Sequence, residues 1–427
     1  MGNTVLTIQG EDFFINGIKT YAEIKGSRSE AQGLLMNARF IQGVFDDKAA
    51  PERFNRFGRT FCPERNTDDL IKALPQWHRY GLRAFTVGFQ GGGPCFTLSN
   101  GTIENNPFGE EGTTLDPAYR ARMHRLILAA DQLGMAVIVS FFYPGQVGRI
   151  RDGRAVMNAV KTASRFLRDG GYTNVIIEIC NEMDVDKSHP IIHQPEGMAV
   201  LMEMAREESG GMPVGCSGGG GSCFEEVTRA SDVILIHGNG CSRQGYYNLV
   251  ERVRRQNPGR PIVCNEDSQA IGQMKVSFGT HTSWGYYNNL TKQEPPADWS
   301  VLPGEDLFFA HRMAQGIGID VPEIPLEEQI CLLGTEEPTE GEGNRWIRVA
   351  SLYPESIDTV SFYSFPGISA DAPGKLPENS RFLYTCHDEP FSLYYIWNWL
   401  QGPWKGKPGE QIAAVVRFRN GEMKVLR

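Results

Sequence analysis

Along the chain, continuous Val, Ile and Leu runs alternate with amphipathic stretches, the pattern of strands buried on both faces and separated by helices. Eight runs read as strands: Leu34–Val44, Leu82–Phe89, Met135–Phe142, Asn174–Cys180, Met212–Ser217, Asp232–His237, Pro261–Asn265 and Thr282–Tyr286. Helical patterns lie between them over Thr67–Tyr80, behind an Asn66/Thr67 cap, Pro117–Leu133 ending at Gly134, Ala155–Arg168 ending at Gly170, Gly197–Glu208 and Tyr246–Gln256. A further helix, Glu305–Ala314, follows the eighth strand, whereas the interval after Asn265 has the weakest pattern.

Eight strands alternating with helices predict a parallel sheet, and a count of eight favours closure into a (β/α)8 TIM barrel over an open doubly wound sheet. Phe13-Phe14-Ile15-Asn16-Gly17 reads as a hairpin capping the barrel floor. From about Val321 the character changes. Thr335–Asn344 is acidic and rich in Gly, Pro and Thr, the alternation that follows is short-period, and Asn420-Gly421 sits between alternating strands as a two-residue hairpin turn would. The expected organisation is an α/β catalytic barrel with an N-terminal hairpin cap over 1–322 and an immunoglobulin-like antiparallel β-sandwich over 323–427.

Composition narrows the partners. With 41% hydrophobic and 22% charged residues in 427, disorder and collagen-like repetition are out. The net charge of −9, without any basic stretch, argues against nucleic acid and anionic membrane surfaces and favours a neutral partner. The longest apolar run, Met135 to Tyr143, is strand-sized, so no membrane span is expected. The N-terminus lacks a basic region followed by an apolar stretch; a secreted or periplasmic location with the signal removed is preferred over the cytoplasm. Nine cysteines are an odd count, and Cys180, Cys216 and Cys264 read as buried thiols rather than a disulfide framework; Cys216 and Cys223 flank a Gly-rich loop, but a bridge there is disfavoured because small loops need specific geometry. Oligomeric state is left open.

Barrel chemistry sits at the C-terminal ends of strands. Two strands end in Asn followed by a carboxylate: Val175-Ile176-Ile177-Glu178-Ile179-Cys180-Asn181-Glu182, and Pro261-Ile262-Val263-Cys264-Asn265-Glu266. From the fourth and seventh slots, Glu182 and Glu266 face one another across a ligand, as paired carboxylates do in glycoside hydrolysis. Either Glu alone reads better as a solvated strand-end charge; the two together, in the fourth and seventh slots, reverse that preference. Aromatic side chains such as Tyr143 and Trp284 in the same loops could stack on sugar rings, Asp46 could bind sugar hydroxyls or start a solvated loop, and His189 and His193 read as loop histidines because Pro190 spoils a helical zinc pair.

The two Asn-Glu strand ends, with Ser283-Trp284 on the eighth strand, resemble the clan A glycoside hydrolases, retaining (β/α)8 enzymes, over roughly residues 30 to 316. The resemblance implies Glu182 as acid/base, Glu266 as nucleophile, Asn181 as partner of the substrate 2-hydroxyl, and Trp284 as floor of the central sugar site. This chain departs from the pattern in having Thr86 where many relatives place an Arg, no Tyr after His237-Gly238-Asn239-Gly240, and Phe141-Phe142-Tyr143 without the frequent His. Arg39, His237 and Asn239 are then the candidate donors to Glu266, which must be ionised, whereas Glu182 is expected to be raised so that it holds a proton. Glu178 is expected inside the barrel, paired with Arg39 or Arg83.

The function implied is double-displacement hydrolysis of a β-linked, β-glucan-like polysaccharide or oligosaccharide, with no cofactor and no metal. A carbohydrate-binding barrel that has lost catalysis is the alternative, and a metal-dependent hydrolase is disfavoured because the eight histidines form no His-x-His at a strand end. The C-terminal domain gathers no catalytic set, and Tyr395, Trp397 and Trp399 on one strand face are expected to pack against the barrel.

Overall fold

The computed structural model describes residues 2–55, 58–92, 100–269, 271–289, 291–293, 295–334, 346–366, 374–387, 394–397 and 410–427. An antiparallel sheet of β1 (Leu6–Gln9), β2 (Asp12–Ile15) and β3 (Ile18–Lys19) comes first. Eight strands follow: β4 (Asn37–Arg39), β5 (Ala84–Gly88), β6 (Ala136–Phe142), β7 (Val175–Cys180), β8 (Val214–Gly215), β9 (Ile234–His237), β10 (Ile262–Glu266) and β11 (Gly285–Tyr286). Six form a parallel sheet in the order β11-β4-β5-β6-β7-β8, and β9 pairs with β10 in parallel. Backbone bonds join the two sets: Asp232 N donates to Val214 O at 2.9 Å beside β9, and parallel bridges Val263–Ser283 and Asp267–Tyr286 link β10 to β11. The neighbour relations of the eight strands therefore run in a ring.

Helices α1 (Pro63–Arg79), α2 (Pro117–Leu133), α3 (Gly153–Asp169), α4 (Pro190–His193), α5 (Pro195–Ser209), α6 (Glu225–Ala230), α7 (Arg243–Gln256), α8 (Met274–Gly279) and α9 (Glu305–Ile317) alternate with them. α2 illustrates the local logic: Asp116 caps the N–H groups of Ala118 and Tyr119, and Gly134 ends the helix at φ +73. Helix α1 begins earlier than expected, with Pro63 at its first position, where its missing N–H costs nothing. Asn66 and Thr67 are therefore not caps; they donate to the Gln42 and Gly43 carbonyls and fix α1 to the end of β4. Pro190 likewise starts α4 rather than spoiling it. The weakly patterned interval after Asn265 holds a 3-10 turn, Ile271–Gln273, and α8.

Leu6 and Phe13 of the N-terminal sheet pack with Leu35, Ala84, Ile138, Ile176 and Leu235 from the strand starts, which closes the ring from below with apolar surface. Polar side chains are left to the other end. The eight cysteines among the described residues, Cys216 and Cys223 included, are free.

After α9 come two antiparallel sheets: β12 (Ile330–Gly334), β13 (Trp346–Ser351) and β16 (Tyr394–Trp397) in the order β12-β13-β16, and β14 (Ile357–Pro366), β15 (Arg381–His387), β17 (Glu410–Phe418) and β18 (Met423–Leu426) in the order β15-β14-β17-β18. Ile330, Ile347 and Val349 of the first share a core with Val360, Phe362, Ile412 and Val416 of the second. The Asn420-Gly421 turn is a three-residue loop, closed by Phe418 N on Glu422 O at 2.9 Å with Gly421 at φ +89. Buried Arg348 of β13 pairs in bidentate fashion with buried Glu305 of α9. The side chains of Tyr395 and Trp397, the whole of Trp399, and Thr335–Asn344 lie outside the described residues.

Candidate active site

Strand β7 carries the first carboxylate. Asn181 is buried, and Glu182 follows at φ +47, a left-handed conformation that side chains other than Asn and Gly rarely adopt. Ser217 holds the turn from the end of the neighbouring strand: its hydroxyl accepts from Glu182 N at 3.1 Å and its carbonyl from Met183 N at 3.0 Å. The same hydroxyl donates to Glu178 Oε1 at 2.9 Å. Backbone strain of this kind persists where the surroundings over-determine it.

Strand β10 carries the second. Glu266 Oε2 lies 2.6 Å from Arg39 Nε, and its Oε1 accepts from Asn239 Nδ2 at 2.7 Å. Arg39, wholly buried, also donates to Asn181 Oδ1 and stands 3.9 Å from Glu178, which is equally buried and accepts a further bond from Asn265 Nδ2 at 2.9 Å. Arg83 takes no part; it pairs with Glu23 at 3.1 Å. His237, at the end of β9, presents Nδ1 to Glu182 Oε1 at 3.0 Å and lies 3.9 Å from Glu266 Oε2. Arg39, Asn181, Glu182, His237, Asn239 and Glu266 are thus brought together.

The charge pattern differs from the sequence expectation. Burial alone would raise Glu182, but the hydrogen bond and charge of His237 outweigh it and hold the carboxyl below its ordinary value. Burial pushes Glu266 up, opposed by Arg39 and His237. Burial also works against a charged His237, yet Glu266 and Glu182 together raise its pKa above the ordinary value. The inversion follows from position: Glu266 is the more deeply buried of the two carboxyls, and His237 lies closer to Glu182, at 3.0 Å against 3.9 Å. Arg39 stays charged because Glu266 and Glu178 outweigh its burial.

Donor atoms of Glu182, His237 and Glu266 lie within 4.8 Å of one another, close enough to offer three ligands to a cation. Arg39 at 2.6 Å from Glu266 already neutralises that carboxylate and would repel a dication.

Two expected residues lie elsewhere. Trp284 is fully buried on the outer side of its strand, with its ring 5.8 Å from Phe309 of α9 and its N–H on Asp267 Oδ2 at 2.8 Å, so it cannot floor a sugar site. Tyr287, three positions on and therefore on the opposite face, has its ring 5.8 Å from the Arg39 guanidinium carbon. Asp46 is turned away toward α2, held by Lys48 at 3.2 Å and Arg122 at 3.7 Å. Tyr143 stands at the end of β6, where its hydroxyl accepts from Gln293 at 3.4 Å. Ser217, Asn265, Tyr287 and Gln293 were missed, although Asn265 and Ser217 could have been found as strand-end polar residues facing the buried Glu178.

No protein-family model matches the chain. No curated protein matches it either. Solved structures similar to it include one described as a glycoside hydrolase, 9% identical, covering 99% of this chain and 98% of that one with a TM-score of 0.49. Another is a putative glycoside hydrolase from Bacteroides vulgatus, 12% identical over 92% of this chain and 82% of that one, TM-score 0.49. A glycoside hydrolase family 5 structure from the same organism is 11% identical over 99% and 93%, TM-score 0.48. At these scores the likeness carries no functional argument, which rests on the site itself.

Proposed function

We propose that the chain is a retaining glycoside hydrolase acting on a β-linked glycan, with a (β/α)8 catalytic barrel over 1–322 and a C-terminal antiparallel sandwich over 323–427. The observation that carries this reading is the separation of the two carboxylates. An oxygen of Glu182 and one of Glu266 fall within 4.8 Å, with a histidine between them. Retaining enzymes space the carboxyl groups about 5–5.5 Å apart, while inverting ones need about 6.5–9.5 Å to admit a water.

In this mechanism Glu266, its charge held against burial by Arg39 and Asn239, attacks the anomeric carbon and forms a glycosyl ester as the bond to the leaving oxygen breaks. The leaving oxygen takes a proton from Glu182. His237 Nδ1, 3.0 Å from Glu182 Oε1, is the group placed to hand that carboxylate its proton when the sugar excludes water. Glu182, now a base, then deprotonates the water that hydrolyses the ester. Asn181, fixed by Arg39, is placed at the substrate 2-hydroxyl.

The rival reading, a binding barrel without catalysis, draws on the depressed Glu182, which is the wrong resting state for an acid unless His237 supplies its proton. One experiment decides between them. Aryl β-glycosides of several neutral sugars are incubated with the protein in deuterated buffer and followed by proton NMR. Hydrolysis with the β-anomer appearing first supports the proposal; the α-anomer first refutes retention, and no turnover on any glycan favours the binding barrel.

A further inference from the structure

We infer that the cleft is closed on one side by the segment after β11, so that it takes the end of a glycan chain and the enzyme is exo-acting; this rests on the hydrolase reading above. Between Tyr286 and Glu305 the chain does not turn directly into α9. It crosses the mouth of the ring instead. The carbonyl of Gln293 accepts from Gln42 Nε2 at 3.1 Å, beyond the end of β4, and its side-chain amide reaches the Tyr143 hydroxyl at 3.4 Å, beyond the end of β6. Since β4, β5 and β6 are consecutive in the ring, a segment leaving β11 and touching both outer members of that trio spans the ends of all three.

The described residues of the crossing are tied down at several points. Lys292, buried, lies 2.7 Å from Asp306 Oδ2, and its ammonium also donates to the carbonyls of Asp298 and Ser300. The other oxygen of Asp306 accepts from Tyr286 and Asn288, each at 2.9 Å. Farther on, Trp299 donates to Asn66 Oδ1 at 3.0 Å and accepts from Trp77 on α1 at 2.7 Å. A buried ammonium with three oxygen partners cannot leave its site without stranding Asp306, so the segment is a fixed wall rather than a lid. Internal cleavage needs open groove on both sides of the scissile bond. A wall on one side, faced with amide and hydroxyl groups beside Arg39, leaves room for a terminal sugar and supplies donors and acceptors for its hydroxyls.

The test uses borohydride-reduced β-1,3- and β-1,4-linked gluco-oligosaccharides and a soluble mixed-linkage β-glucan. Wild type should release single sugars from one chain end, leaving products shorter by one unit and polymer viscosity almost unchanged. Early accumulation of internal fragments, or a rapid fall in viscosity, would overturn the inference while leaving the hydrolase reading intact. No cleavage of any glycan would defeat that reading, and this one with it. Gln293→Ala, which removes the reach to Tyr143 without touching the core, should raise KM about tenfold with kcat within about threefold, as expected for loss of one polar contact to the bound sugar. Lys292→Met should in addition let fragments of two units appear, and Lys292→Arg should restore single-unit release. Unchanged KM in Gln293→Ala together with unchanged products in Lys292→Met would also overturn it.

Discussion

Replacing Arg39 by Met removes one cation from between two buried carboxylates. In the native protein the guanidinium lies 2.6 Å from Glu266, whose side chain is only 7% exposed, and 3.9 Å from Glu178, which is fully buried. Breaking a buried ion pair costs about 3–5 kcal/mol because the abandoned charge has no solvent to turn to. Here each acid keeps other partners, hydrogen bonds from Ser217 and Asn265 for Glu178, and for Glu266 a hydrogen bond from Asn239 with His237 at 3.9 Å, so the loss belongs at the low end, about 3 kcal/mol. With an unfolding entropy of about 2.1 cal/mol/K per residue over 427 residues, this is a drop of roughly 3 °C in Tm. Urea unfolding of Arg39→Met, Glu178→Gln and the double variant completes the cycle. Neutralising Glu178 should destabilise the protein when Arg39 is present and should be neutral or stabilising when it is absent, a coupling of about 1–3 kcal/mol. Additive effects, or an Arg39→Met loss below about 0.5 kcal/mol, would refute the claim that this guanidinium balances both acids.

The assigned roles separate the two carboxylates: Glu266→Ala should abolish turnover on every substrate, whereas Glu182→Ala should spare aryl glycosides with good leaving groups and yield a β-glycosyl azide when azide is added. Equal behaviour of the two variants on an activated substrate would reverse or remove these roles. Because His237 is raised above 6.5 in the folded protein, its charge favours folding fully below that pH, and the contribution is lost as pH rises through the folded value. The unfolding free energy measured in urea should fall over that window, and His237→Phe should lack the fall. Trp284→Phe should cost about 1–3 kcal/mol by leaving buried Asp267 without its indole donor, with KM unchanged; a raised KM at normal stability would return Trp284 to the sugar site.

The order of strands and helices was legible because strands buried on both faces must be apolar throughout, and Val175–Cys180 or Ala136–Phe142 admits no other reading. The polar strand ends stand out against that background, which is why Asn181, Glu182 and Glu266 were found. Parity was the weaker tool. Strand β11 has only two paired residues, and the side facing the site is fixed by Phe309, a residue of α9 that packs on both Trp284 and Tyr286. With those two turned outward, Tyr287 is the aromatic near Arg39. Nothing local in Ser283-Trp284 tells which way the strand turns. The wall formed by Gln293 and Lys292 was hidden for a similar reason: its partners, Gln42, Tyr143 and Asp306, come from three distant parts of the chain.

The departures from the resembled pattern are accounted for by what the site requires of atoms rather than of positions. Glu266 needs donors at its two oxygens, and any strand whose side chain reaches them will serve. Arg39 and Thr86 are direct partners across β4 and β5, so a guanidinium carried by the first instead of the second is displaced by one strand spacing, about 4.8 Å, which an Arg side chain can span. Asn239, on the loop after β9, brings an amide to 2.7 Å from the other oxygen, where a strand-six Tyr was expected. The exchange has a consequence for the acid. A guanidinium that reaches Glu266 from β4 also meets Glu178 and Asn181 on β7, so the strand bearing Glu182 and the strand bearing Glu266 are tied through one buried side chain. The spacing of the two carboxylates, on which the proposed retention depends, is thereby held by Arg39 and by His237.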